Sequence, residues 1–112
     1  MTNNVPRNFK LLEELDNVGK YSTISYGTDD NTLESFSGSI FAKNGNIYQV
    51  TIFCDHNYPS TPPDIFFPDS DNLPNICNSD GSIRGSILDA IKWNLDAKSI
   101  GDVLTRLEKQ II

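Results

Sequence analysis

The chain has 112 residues, which suits one domain and is enough to bury a single hydrophobic core. Hydrophobic residues make up 38% and charged residues 21%, as in folded globular proteins, and no apolar run is long enough to span a membrane. The formal net charge of −6, with 9 Lys and Arg scattered among 15 Asp and Glu, excludes the basic stripe of a nucleic-acid-binding protein, so we expect a protein partner or a small ligand.

The first periodic segment, Arg7–Val18, predicts a short amphipathic helix. Pro6 suits its first turn, and Gly19 follows it as a stop signal. Phe9 lies roughly 130° from the centre of the apolar face on a helical wheel, so we expect it outside the core. That apolar face consists of Leu11, Leu15 and Val18, with Leu12 alongside.

Strand-like segments separated by short turns follow this helix. The Asn44-Gly45 pair between the second and third segments is a strong hairpin signal. Turns this short imply an antiparallel meander of four strands. The alternation of apolar residues places Phe36, Gly38 and Ile40 on one face of the second strand, and Tyr48, Val50 and Ile52 on one side of the third. The predicted strands are Ser22–Tyr26, Ser35–Phe41, Ile47–Cys54 and Ile65–Phe67.

The last third of the chain combines a long irregular segment with a final helix. Regular patterning fails in residues 68–98, apart from a short helix around Ile87–Ile91, and such a stretch inside a compact domain is usually functional. Ser99 and Asp102 then form a Ser-x-x-Asp cap on an amphipathic helix. The order of helix, four strands, irregular segment and helix predicts an α+β fold with helices packed on an antiparallel sheet.

The N-terminal residues do not indicate a secreted protein, and the cysteine spacing does not indicate a metal-binding one. The chain opens without a secretory signal, so we expect a cytoplasmic or nuclear location, and without a repeat or linker, so residues 1–112 are predicted to form one domain. Cys54 and Cys77 lack C-x-x-C spacing and are expected to be free thiols. His56, the single histidine, makes no recognised zinc spacing with Cys54 and Asp55, so no metal or cofactor is predicted.

Several segments resemble the ubiquitin-conjugating enzyme family, in the order in which that family has them. Residues 58–63 resemble its Tyr-Pro-x-x-Pro-Pro turn, and residues 73–75 (Leu-Pro-Asn) lie where the family has His-Pro-Asn. Gly81-Ser82-Ile83 resembles the Gly-x-Ile that precedes the catalytic cysteine, and Trp93 lies at the expected distance before the last helix. The resemblance covers nearly the whole chain and implies a ubiquitin-conjugating-enzyme-like fold.

Arg84 occupies the position of the catalytic cysteine in this resemblance. A ubiquitin thioester requires a thiolate, which a guanidinium cannot replace, and residues 81–112 contain no cysteine. The resemblance therefore implies a catalytically inactive variant of the family. One alternative is an active enzyme that uses Cys77, two residues after Asn75, which matches the asparagine that stabilises the oxyanion in active members.

The N-terminal segment Val5–Leu15 (VPRNFKLLEEL) resembles the variants that pair with the conjugating enzyme building lysine-sixty-three-linked ubiquitin chains. This resemblance implies a heterodimer in which Phe9 fills a pocket on the active enzyme, with Asn8, Arg7 and Leu12 beside it and the turn at residues 28–31 as a further contact. A second alternative is a sorting-type variant domain that binds ubiquitin-bearing or Pro-rich cargo without a conjugating partner.

The resemblance also implies a non-covalent site for acceptor ubiquitin. Ser25, Ser39 and Ile47 match positions that contact this ubiquitin in the relatives. The loop before Ile47 is several residues shorter than in the relatives, which changes the rim of that site. The predicted role is therefore to position acceptor ubiquitin for chain synthesis by the active partner.

Overall fold

The computed structural model describes residues 5–28, 33–58, 60–68, 76–93, 97 and 99–111. Within these ranges no helix has the length and apolar character needed to cross a membrane. The observed order of N-terminal helix, four-stranded antiparallel sheet and C-terminal helix confirms the predicted α+β fold. The elements are α1 (Val5–Asp16), a 3₁₀ turn (Val18–Lys20), β1 (Ile24–Thr28), β2 (Ser35–Phe41), β3 (Ile47–Phe53), β4 (Asp64–Phe66), α2 (Gly85–Ile91) and α3 (Ile100–Gln110).

The sheet has the strand order β1-β2-β3-β4, so every strand pairs with its neighbour in sequence. The predicted alternation is confirmed, because the inward residues of β2 and β3 are buried and their neighbours point to solvent. Gly38 permits the close approach of β1, since a Cβ at this position would lie 2.5 Å from the carbonyl oxygen of Ser25. The core joins this inner face to α1 and α3 through Leu11, Phe36, Ile40, Ile52, Ile100, Leu104 and Leu107.

Element boundaries differ from the predicted ones by one or two residues. Helix α1 ends at Asp16, and the 3₁₀ turn takes up Val18, so β1 begins at Ile24 rather than Ser22. Strand β4 ends at Phe66 because the amide of Phe67 donates to the carbonyl of Gly81 at 2.9 Å instead of pairing with β3. The short helix predicted at Ile87–Ile91 begins earlier, at Gly85. Ser99 caps α3 as predicted, accepting from the amide of Asp102 at 3.1 Å.

Glu14 joins three distant parts of the fold through its buried carboxylate. One oxygen accepts from the Tyr58 hydroxyl at 2.5 Å, and the other accepts from the amide of Ile100 at 2.6 Å. Lys10 forms an ion pair with it at 3.3 Å. A negative charge at the start of α3 complements the helix dipole. Burial and the Glu14 charge both raise the pKa of Tyr58, so this hydroxyl stays a hydrogen-bond donor. The contacts with Tyr58 and Ile100 fix α1 against the loop after β3 and the start of α3, and the Lys10 pair lies within α1.

Candidate functional site

The segment that leads to Arg84 is held in place on both sides. Ser82 bridges to Phe66 of β4, and Ile83 bridges to Cys77. Gly81 has a φ of 93°, and a Cβ here would lie 2.9 Å from the carbonyl oxygen of Phe67. Any larger residue would be strained at this position, which explains why the Gly-x-Ile segment of this chain begins with glycine. The chain thus arrives at residue 84 in a fixed conformation.

Arg84 itself is exposed and ends this segment just before α2. Its amide donates to the carbonyl of Ile76 at 2.8 Å, and its Nε donates to the carbonyl of Cys77 at 3.2 Å. The guanidinium therefore lies at the protein surface where the resemblance places the catalytic sulfur. A guanidinium has neither a hydroxyl oxygen nor a sulfur, so it cannot form an ester or thioester bond.

The two cysteines are buried free thiols, and neither resembles a nucleophile. Burial raises the pKa of Cys77, and the smaller opposing effect of Arg84 does not offset it. Burial, helped by the charge of Glu14, raises the pKa of Cys54 to about 12. Reactive cysteines are accessible and have lowered pKa values, so the geometry disfavours the alternative that uses Cys77. Asn75, which that alternative also invokes, lies outside the described residues.

Helix α1 presents an apolar surface to solvent at Phe9 and Leu12. Phe9 is 68% exposed, which confirms the helical-wheel prediction that it lies off the core face. Leu12, predicted to lie alongside the apolar face and beside Phe9 at the partner, is 49% exposed one turn later. The two side chains line a shallow depression whose other sides are Lys10, Glu13 and Asp16. We call Phe9 and Leu12 the α1 surface.

Arg7 requires a correction, because its side chain is buried and not available to a partner. Its Nε donates to the carbonyl of Asp55 at 2.8 Å, and its Nη2 donates to those of Leu33 and Cys54 at 2.8 and 2.9 Å. Its Nη1 donates to the side chain of Asn8 at 2.9 Å. Arg7 therefore anchors the first turn of α1 to the loops before β2 and after β3. These contacts fix the position of the helix that carries the α1 surface.

We expect Arg7→Ala to lower the free energy of unfolding by about 2–4 kcal/mol, because three carbonyls, one of them in a buried hydrogen bond, lose a charged donor. Arg7→Lys keeps the charge but lacks the guanidinium fork, so its loss should be intermediate. Urea denaturation followed by circular dichroism measures both. Lys43→Ala, at an exposed turn, is the control and should change stability by less than about 0.5 kcal/mol. Equal stability of Arg7→Ala and this control would contradict the anchoring role.

The outer face of the sheet brings Ser25, Ser39 and Ile47 together as predicted. Ser25 of β1 lies directly opposite Ser39 of β2, and the Ser39 hydroxyl donates to the Gln49 side chain of β3 at 3.3 Å. Ile47 is 56% exposed and lies diagonally beside Ser39 on the neighbouring strand. Diagonal residues on adjacent antiparallel strands lie about 7–8 Å apart. These side chains lie on three adjacent strands, and no described helix separates them from solvent.

The turn that borders this face is short and stiff. The amide of Ala42 donates to the carbonyl of Asn46 at 2.9 Å, and Gly45 adopts a φ of 89°. The Asn44 side chain accepts from the amide of Asn46 at 2.9 Å and donates to the Tyr48 hydroxyl at 3.0 Å. The predicted hairpin is confirmed, and the turn leaves Ile47 uncovered.

Three aromatic residues on the same face were not identified from the sequence, among them Phe41 of β2, which is 42% exposed and lies directly opposite Ile47. Phe53 of β3 is 45% exposed, and Phe66 of β4 is 42% exposed. The alternation of β3 contains the signal, because it places Phe53 in the same outward series as Ile47. Of the turn at residues 28–31, predicted as a further docking contact, residues 29–31 lie outside the described residues, as do Leu73, Pro74 and Pro59.

Comparison with known proteins gives consistent matches along the chain. Residues 7–111 match the family model described as ubiquitin-conjugating enzyme. The ubiquitin-conjugating enzyme E2 variant 1C of Arabidopsis thaliana is 34% identical, with 96% of this chain and 81% of that protein covered. The ubiquitin-conjugating enzyme variant MMS2 of Saccharomyces cerevisiae is 32% identical, with coverages of 96% and 85%. The structure of human ubiquitin-conjugating enzyme E2 G1 superposes with a TM-score of 0.77 at 18% identity, covering 97% of this chain and 96% of that one.

Proposed function

The chain belongs to the ubiquitin-conjugating enzyme family, among its variants, and we propose that it acts as a non-catalytic subunit of an active conjugating enzyme. The partner carries donor ubiquitin as a thioester on its own cysteine. This chain binds acceptor ubiquitin and presents one of its lysines to that thioester, so that lysine-sixty-three-linked chains form. We also propose a cytoplasmic or nuclear location.

The observation that carries this proposal is the exposed Arg84 at the position of the nucleophile. A chain with this fold and without an accessible thiol can contribute to conjugation only through binding. Holding two reactants in a productive geometry can supply about 7–11 kcal/mol of barrier reduction without any chemistry on the positioning protein. An inert subunit can therefore govern both the rate and the linkage.

The α1 surface supports the docking half of the proposal. An exposed phenylalanine at the start of a helix is a natural anchor for a pocket on a partner, and truncating such anchors weakens complexes strongly. The Arg7 and Glu14 contacts hold α1 firmly, so Phe9 loses little additional freedom on binding. This exposed anchor favours a heterodimer over a cargo-binding domain.

The outer face of the sheet supports the positioning half. Ser25, Ser39 and Ile47 lie on hydrogen-bonded strands, and sites on such elements hold a partner more precisely than sites on loops. Linkage choice requires a single orientation of acceptor ubiquitin, because only then does one lysine face the thioester. A rigid sheet face provides this single orientation.

A reconstitution tests the function. With activating enzyme, ATP and ubiquitin, we expect this chain alone to form no reductant-sensitive adduct, because it lacks an accessible thiolate. Added to a charged chain-building conjugating enzyme, it should yield free chains with lysine-sixty-three linkages, read by gel and mass spectrometry. Cys77→Ser is the matched control and should behave identically. A thioester band that disappears in Cys77→Ser would establish the enzyme alternative instead.

A further inference from the structure

Phe53 and Phe66 form an exposed aromatic pair that the docking and acceptor sites do not use. Phe53 lies opposite Asp64, and Phe66 lies two residues further along β4, so the two residues are diagonal neighbours whose backbones lie about 7–8 Å apart. Both side chains occupy outward positions of their strands, which are polar in most half-buried strands. Exposed apolar patches of this kind mark interaction surfaces.

The composition of the face indicates what its occupant must offer. In the four strands, all of which the structure describes, Asp64 is the one charged residue at an outward position. The remaining outward residues are serine, threonine, glutamine, glycine, phenylalanine and isoleucine. A partner is therefore recognised here through apolar and neutral hydrogen-bonding contacts, and not through charge.

The dimensions of the face indicate one occupant rather than two. Ile47 and Phe53 lie at opposite ends of β3, about 20 Å apart at the rise of an extended strand. A standard protein interface covers about 800 Å² on each partner, which corresponds to a patch roughly 30 Å across. An interface of this size centred near Ser39 extends about 15 Å in each direction along the sheet, far enough to include Phe53 and Phe66.

We propose that acceptor ubiquitin covers the whole outer face and that Phe53 and Phe66 are its contacts at the β4 side. This inference rests on the proposed function, since it takes ubiquitin as the occupant.

Titration of the isotope-labelled full chain with unlabelled monoubiquitin, followed by nuclear magnetic resonance, tests the proposal. We expect ubiquitin to shift amide signals of β3 and β4 near Phe53 and Phe66. The double variant Phe53→Thr/Phe66→Thr should bind ubiquitin about tenfold more weakly, and each single variant by a smaller factor. Threonine suits strands, and unchanged signal dispersion shows that a variant is folded. Leu88→Gln, an exposed leucine on α2, is the control and should bind normally.

Parallel titrations with Ser25→Arg separate this inference from the proposed function. Weak binding by Ser25→Arg together with normal binding by the double phenylalanine variant overturns the extended footprint and leaves the acceptor site intact. Normal binding by both overturns the proposed function as well. Sedimentation of the chain alone provides a further check. A dimer that the double variant abolishes would identify the aromatic pair as a contact between copies of this chain, and would overturn the inference.

Discussion

Phe9→Ala is expected to weaken the complex with the active conjugating enzyme by about 30-fold to 1,000-fold, which corresponds to about 2–4 kcal/mol. The reason is that Phe9 is 68% exposed in the isolated chain and contributes little to its core. Burial of this ring in a partner pocket would therefore provide binding energy without a corresponding loss of stability in the free protein. Isothermal titration calorimetry on the purified pair measures the effect.

Phe66→Ala provides the matched control for this experiment, because it removes another exposed phenylalanine from a different surface. Its affinity for the conjugating enzyme should equal that of the unchanged chain. Circular dichroism should show that both variants keep their secondary structure. An unchanged affinity of folded Phe9→Ala would mean that the α1 surface is not the docking surface, whatever the role of the sheet face.

Local patterns in the sequence were sufficient to predict the elements of the fold. The alternation through Phe36, Gly38 and Ile40 identified the buried face of β2, and Asn44-Gly45 identified the hairpin. The same local geometry placed Phe9 outside the core. Boundaries were less accurate because they depend on contacts made elsewhere, as at Phe67, whose amide bonds to the distant Gly81.

Long-range contacts account for what the sequence did not reveal at the site. The resemblance of the N-terminal segment assigned Arg7 to the partner surface, where arginine is commonly found, whereas the carbonyls that bind it come from loops 26 to 48 positions away. Glu14 gave no signal either, because its partners Tyr58 and Ile100 become neighbours only when the chain folds. Arg7 and Glu14 make no proposed contact with ubiquitin or enzyme, but together they hold the helix that carries Phe9.

Ser25→Arg combined with Ile47→Ala should reduce free-chain synthesis by more than about tenfold at low ubiquitin concentration, with normal affinity for the conjugating enzyme. An arginine at Ser25 would project from the outer face beside Ser39, where it obstructs the acceptor ubiquitin. Loss of the Ile47 side chain removes exposed apolar area from the same footprint. Neither change touches the core, because both side chains point away from the helices.

The dependence on ubiquitin concentration identifies the step that fails. If the variant only binds acceptor ubiquitin more weakly, a higher ubiquitin concentration should partly restore the rate, because the thioester chemistry on the partner is intact. Chain formation should be followed by gel over a range of ubiquitin concentrations, with heterodimer affinity measured in parallel. Ser22→Arg, an exposed position in the bend before β1, is the matched control and should synthesise chains normally. Normal synthesis by the Ser25→Arg/Ile47→Ala variant would exclude the outer face as the acceptor site, and the docking surface would then have to be tested on its own through Phe9.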